Sequence, residues 1–67
     1  MILEFGSKGH YVRAWQRIVG VHYSKVDGLF GTNTDMLTRR WQTARGVEAD
    51  GVIGPATSEA LSRYLQD

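Results

Sequence analysis

Apolar residues recur at helical spacing in three stretches of the chain, separated by glycine-containing turns. Val12, Trp15, Ile18 and Val19 form one stripe and Gly20 follows as a stop signal, so a first helix is predicted over about Gly9 to Val19. A second is predicted over about Thr32 to Arg45, with Leu37, Trp41 and Ala44 turned inward. Arg45 suits the negative end of its dipole and Gly46 closes it. A third, over about Pro55 to Leu65, buries Ala60, Leu61, Tyr64 and Leu65. Leu3 and Phe5 read as an extended lead-in that covers the bundle, and Val21 to Val26 as a longer connection anchored by Val26. The pattern is that of an all-α chain folded as a compact three-helix bundle.

The turns that feed the second and third helices repeat. Asp27-Gly28-Leu29-Phe30-Gly31-Thr32-Asn33-Thr34 returns as Asp50-Gly51-Val52-Ile53-Gly54-Pro55-Ala56-Thr57, and both read D-G-apolar-apolar-G-x-x-T. Asp-Gly is a turn pair, because Asp can accept from backbone ahead of it and Gly tolerates positive φ. The apolar pair then dips into the core. Gly31 and Gly54 fit helix N-caps, since Pro55 stands at the preferred first helical position. Thr34 and Thr57 fall at the third helical position, where a hydroxyl can reach back to the loop. A second echo pairs Val12-Arg13-Ala14-Trp15-Gln16 with Thr38-Arg39-Arg40-Trp41-Gln42. A residue after an inward Trp lies about 100° around the helix, at the edge of the buried stripe. Gln16 and Gln42 are therefore expected to bond loop backbone and tie helix to turn.

Composition narrows the function classes. The 67 residues allow one domain with one small core, and the absence of cysteine removes disulfides, thiolate zinc sites and a thiol nucleophile. Eight basic residues against seven acidic give a net charge of +1, so a helix-turn-helix DNA binder fits the helix count but not the charge. There is no apolar run long enough to span a membrane. The N-terminus has neither the basic nor the apolar region of a signal peptide, so the chain is expected to be a piece of a longer protein or to be delivered by another route. His10 and His22 lack metal-ligand spacing and read as solvent-facing. Asp27 and Asp50 hold the same place in a repeated turn, which explains them as turn-formers before catalytic carboxylates. Trp15 and Trp41 fall inward, Tyr11 and Tyr23 outside the main stripe, and Arg13, Arg17, Arg39 and Arg40 on a solvated face.

Gly6-Ser7-Lys8-Gly9, Val12, Trp15-Gln16, the two D-G-x-x-G-x-x-T units, Trp41-Gln42 and Ala60-Leu61 together resemble the small three-helix peptidoglycan-binding domain of type 1, over about Phe5 to Leu65. Trp15 stands where that family prefers Leu, Trp41 where it prefers Phe, and Leu37-Thr38 where it prefers Ala-Val, which predicts altered packing of the second helix and a partly exposed Thr38. The resemblance implies a non-catalytic, extracytoplasmic cell-wall module. It would work as a monomer without cofactor, metal, nucleic acid or membrane, fused to a murein hydrolase or a phage endolysin. It places the ligand groove between the repeated loops. Asp27, Asn33, Thr34, Asp50 and Thr57 would bond peptide or sugar groups there, and Tyr23 and Phe30 would offer apolar faces. The alternative implied is a protein-interaction or spacer domain that keeps the fold without murein affinity.

Overall fold

The computed structural model describes residues 2–66, with side chains described as far as Arg63. Three helices are present: α1 (His10–Val19), α2 (Thr32–Ala44) and α3 (Pro55–Gln66), with a 3-10 turn at Tyr23–Lys25 between α1 and α2. The expected burial of Tyr64 and Leu65 lies outside the described side chains. No β-strand forms among the described residues, only two isolated antiparallel bridges.

Glycine begins all three helices. The carbonyls of Gly9, Gly31 and Gly54 accept the first intrahelical N–H bonds, from Arg13 at 3.2 Å, Asp35 at 2.9 Å and Ser58 at 2.8 Å. The first two helices also end alike. Gly20 (φ +94°) and Gly46 (φ +75°) take the left-handed conformation that reverses the chain. The following Val21 and Val47 N–H groups then donate back to the carbonyls of Gln16 and Gln42, at 2.9 and 3.1 Å. The full echo is therefore W-Q-x-x-x-G-V, longer than the Trp-Gln pair alone suggests.

Val12, Trp15, Phe30 and Ile53 form the buried cluster, with Leu3, Ile18, Val19, Trp41 and Leu61 packed around it. Each repeated loop sends in only the second residue of its apolar pair. Phe30 and Ile53 are buried, whereas Leu29 is exposed and Val52 half-buried. The lead-in is extended, as expected, and backbone bonds join it to both loops. Leu3 and Ile53 exchange bonds of 3.2 and 2.8 Å, while Gly6 and Ser7 pair with Phe30 at 2.9 Å each. Leu3 packs on the core, but Phe5 does not cover it. Phe5 sits in a turn closed by Ser7 N–H on the Glu4 carbonyl, and it is 65% exposed. In the long connection Val21 is the buried anchor and Val26 is only half-buried.

The inward face of α2 is polar, which the apolar periodicity did not anticipate. Thr34, Thr38 and Gln42 are its buried residues, spaced one helical turn apart. That stripe is rotated by about 100° from the one expected at Leu37 and Trp41, and Ala44 is exposed instead of inward. Thr38, expected to be partly exposed, is fully buried. Its hydroxyl accepts from the Trp15 indole Nε1 at 2.8 Å and donates to the Thr34 carbonyl at 2.7 Å. The two departures from the resembled pattern, Trp15 and Thr38, thus meet in one hydrogen bond. A Trp in place of Leu brings a buried N–H that needs an acceptor, and a Thr in place of Val supplies it. The ring of Trp15 meets Trp41 edge-on, with centroids 5.2 Å apart.

Thr38→Val should cost about 1–3 kcal/mol, because it strands the buried indole donor. In a Trp15→Leu background the same change should be close to neutral, giving a coupling of about 1 kcal/mol or more in a double-mutant cycle by urea unfolding. Additive effects would show that the bond contributes nothing to the pairing.

Candidate functional site

Each D-G loop is closed by one buried glutamine from the helix before it. Gln16 lies on the last turns of α1, and its Nε2 donates to Asp27 Oδ1, the Leu29 carbonyl and Thr34 Oγ1, all at 3.0 Å. Its Oε1 accepts from the Gly28 N–H at 3.0 Å. Gln42 on α2 repeats the pattern. Its Nε2 donates to Asp50 Oδ1 at 3.1 Å, the Val52 carbonyl at 3.0 Å and Thr57 Oγ1 at 2.9 Å, and its Oε1 accepts from the Gly51 N–H at 3.0 Å. Two amide hydrogens face three acceptors in each case, so one is shared. Inside each loop the Asp carboxylate also accepts from the N–H two residues on, Leu29 or Val52, at 2.9 Å. The two glutamines are 2% and 0% exposed, so these groups have no water to fall back on. No buried side-chain polar atom among the described residues is left without a partner.

Gly28 and Gly51 share φ near +75°, which an L side chain rarely adopts. Both are also covered from above. A Cβ at Gly28 would come within 3.1 Å of the Gly9 carbonyl and of Arg13 Nε, and one at Gly51 would strike the Asp35 carboxylate and approach Arg39. Arg13 and Arg39, expected on a solvated face, are exposed but each lies over one turn. Arg39 pairs with Asp35 at 3.1 Å and donates to the Ala49 carbonyl at 3.2 Å.

The same contacts set the electrostatics. The Gln16 amide and then the Leu29 N–H hold the Asp27 carboxyl below its ordinary pKa, with Arg13 adding to the effect. The Val52 N–H foremost, with Gln42 and Arg39, does the same for Asp50. Both groups are ionised at neutral pH and spend one oxygen on the loop. Among the described residues no group of three or more His, Asp or Glu side chains converges to hold a metal ion.

Each loop has a hollow beside it. The first, of about 330 Å³, is lined by Lys25, Asp27, Leu29, Thr32 and Asn33, with the buried Gln16 and Thr34 behind them. The second, of about 230 Å³, is lined by Ile2, Glu48, Asp50, Val52, Pro55 and Ala56. A roomier hollow of about 500 Å³ on the outer face of α2, at Met36, Arg40 and Ala44, is open and gathers no set of convergent polar groups. Of the residues expected to touch a ligand, Tyr23, Asp27, Asn33 and Asp50 are exposed. Phe30, Thr34 and Thr57 are not, at 2–3% exposure. The ring of Phe30 belongs to the core, and the two threonine hydroxyls are taken by the glutamines, so all three act from beneath the surface. Lys25 and Thr32 were not singled out from the sequence. Neither falls on a periodic stripe, and only an alignment of the two copies marks Lys25 as part of an insertion.

Comparison with known proteins bears on this geometry. The family described as putative peptidoglycan binding domain matches residues 12–61, the stretch that contains both glutamines and both loops. The chain is 40% identical to a zinc D-Ala-D-Ala carboxypeptidase of Streptomyces albus G, over 97% of this chain and 28% of that protein. It is 31% identical to a spore cortex-lytic enzyme of Halalkalibacterium halodurans, over 92% of this chain and 20% of the other. It is 36% identical to a probable N-acetylmuramoyl-L-alanine amidase of Bacillus licheniformis, over 92% of this chain and 19% of the other. The chain thus spans less than a third of the length of these curated relatives.

Gln16→Glu keeps shape but turns an oxygen toward three acceptors, of which the Asp27 carboxylate and the Leu29 carbonyl cannot donate in return. It should destabilise by at least about 2 kcal/mol in urea unfolding, and Gln42→Glu should do likewise. A pH effect follows from the two aspartates. Their pKa values are lowered on folding, so the unfolded chain binds more protons through the ordinary Asp range. Stability is full above that range and is lost as pH falls through it toward the folded values. Thermal melts between neutral pH and about pH 3 should show this decline. The double change Asp27→Asn and Asp50→Asn keeps the acceptor oxygens and should flatten it; an unchanged slope would place the effect elsewhere.

Proposed function

The chain belongs to the peptidoglycan-binding domain family, and we propose that it acts as a non-catalytic anchor that holds a fused cell-wall hydrolase or endolysin on murein outside the cytoplasm. The observation that carries this reading is the use to which the loops put their polar groups. Gln16, Gln42, Thr34 and Thr57 are committed to closing the turns, which leaves a fixed frame with polar rims and, among the described residues, no three His, Asp or Glu side chains brought together. Loops fixed on a rigid scaffold are a common place for recognition. Asp27 and Asn33 are exposed at the first hollow and Asp50 at the second, while Tyr23 stands exposed in the turn that precedes the first loop, and they would meet hydroxyl, N-acetyl or peptide groups of the wall.

Such contact is weak by construction. A shallow polar site recovers little beyond what it loses in desolvation, so a single module should bind at about micromolar to millimolar Kd. A tether to an enzyme that stays among many equivalent wall sites makes that sufficient, because rebinding occurs at high effective concentration. The relatives named as carboxypeptidase, cortex-lytic enzyme and amidase share the domain while differing in reaction, which fits a module that supplies address and not chemistry.

Purified domain should pellet with isolated sacculi at low and at moderate salt, and it should release no soluble muropeptides during the incubation. A folded domain left in the supernatant would return the spacer reading, and unaided cutting of murein would refute the non-catalytic one.

A further inference from the structure

The two loops are alike in closure and in the exposed Asp of each, and unlike in the segment before it and the helix start after it. Helical landmarks repeat at a spacing of 26 residues, as in Trp15 with Trp41 and Gly20 with Gly46, whereas loop landmarks repeat at 23, as in Asp27 with Asp50 and Thr34 with Thr57. The three-residue difference falls between the helix stop and the Asp. His22–Val26 occupy that span in the first copy, and only Glu48-Ala49 in the second. The surplus coincides with the 3-10 turn Tyr23–Lys25.

That turn is not needed to close the loop, since Gln42 makes the same set of bonds over the shorter span. It is nevertheless ordered from within. His22 Nδ1 meets Ser24 Oγ at 2.7 Å and accepts from the Ser24 N–H at 3.2 Å, and Lys25 N–H donates to the His22 carbonyl at 2.7 Å. The turn holds Tyr23 in solvent at 85% exposure, its ring beside that of His22 with centroids 4.5 Å apart and planes tilted by 30°. It also delivers Lys25 to the lining of the first hollow. Among the exposed large hydrophobic side chains of the described residues, Tyr23 is the most exposed, ahead of Phe5 at 65%.

The first helical turns beyond the loops differ in the same sense. Thr32 and Asn33 line the first hollow with groups that both donate and accept, while the equivalent Pro55 and Ala56 bring none to the second. The Thr57 hydroxyl behind the second hollow is taken by Gln42 and the Val52 carbonyl, as Thr34 is taken in the first, so Glu48 and Asp50 leave it side-chain acceptors at its surface. We propose that the loops divide their labour: the first contacts the glycan strand of the wall through Tyr23, Lys25, Asp27 and Asn33, and the second serves the fold alone. This rests on the murein-binding reading above and narrows it to one loop and one wall component. An aminosugar strand carries apolar C–H faces that suit an exposed ring, beside hydroxyl and acetamido groups that need both donors and acceptors. Only the first loop offers that combination.

The test compares two surface double variants of the full chain, Tyr23→Ala with Asn33→Ala and Glu48→Ala with Ala56→Gln. Sacculus binding, melting temperature and backbone amide shifts would be measured, the last with peptide-free glycan strands and with free stem peptides. The first variant should lose about ten-fold in sacculus affinity at unchanged melting temperature, as removal of an anchoring aromatic does. The second should stay within about two-fold of the parent. Glycan strands should shift amides at 22–34 and spare 48–57, and stem peptides should shift neither. Equal loss in both variants, shifts centred on 48–57, or a response to stem peptide alone would overturn the division while leaving wall binding intact. An unmodified domain that neither pellets nor responds to either ligand would overturn both readings.

Discussion

A tight Asp-Gly turn pressed against a helix has backbone groups that water cannot reach, and in this chain one side-chain amide per turn satisfies them. The primary amide suits the task because it presents an acceptor and two donors in a plane, matching the N–H of the glycine and the carbonyl three residues before the next helix. Gln16 and Gln42 do this from the fourth position before a left-handed glycine, where their own carbonyls also receive the N–H that closes the helix end. Helix stop, loop closure and the start of the next helix therefore meet at one residue. Without disulfides, a chain of 67 residues has few other ways to fix three helices in one arrangement.

This constraint explains why so much of the interior is polar. Gln16, Thr34, Thr38, Gln42 and Thr57 are all buried, and each is satisfied, so their burial specifies geometry without leaving stranded groups. A half-satisfied network would be worse than an apolar core, and that is what couples neighbouring positions. Thr38 can be a threonine because Trp15 needs an acceptor there, and because its own hydroxyl hydrogen goes back to the Thr34 carbonyl. Variation at such positions has to come in pairs.

Much of this was legible in the sequence. The repeat, the glycine punctuation and the spacing of Trp and Gln place the helices to within a residue or two at their described ends, and the tie from glutamine to loop follows from its angle beside an inward tryptophan. What apolar periodicity could not show was the orientation of α2. Its stripe was read from Leu37, Trp41 and Ala44, whereas satisfied hydroxyls and an amide turn Thr34, Thr38 and Gln42 inward. Hydrophobicity assigns a buried Thr or Gln to the surface because it does not see the partner that makes burial cheap. The candidate site suffered from the same blindness. Phe30, Thr34 and Thr57 carry the right chemistry for a ligand, but the fold has already used them, and Lys25 and Thr32 lie on no stripe that would mark them. Phe5 was misplaced for a different reason. The local turn at Glu4–Ser7 reverses its direction, and a lone aromatic in an extended segment gives no hint of that.

The arrangement also separates what may change from what may not. The bonds that define each unit run from the glutamine forward to the Asp-Gly pair and the threonine, and the residues between the helix stop and the Asp take no part in them. The glutamine closes its loop across five such residues in one unit and two in the other. Loop-closure entropy rises only slowly with length, so a few extra residues there weigh little against the fixed network. That segment is consequently free to lengthen, order itself and present new side chains while the turn beneath it stays the same. A scaffold of this kind can diversify its surface at one point of each unit without disturbing its core, which is the property a recognition module requires.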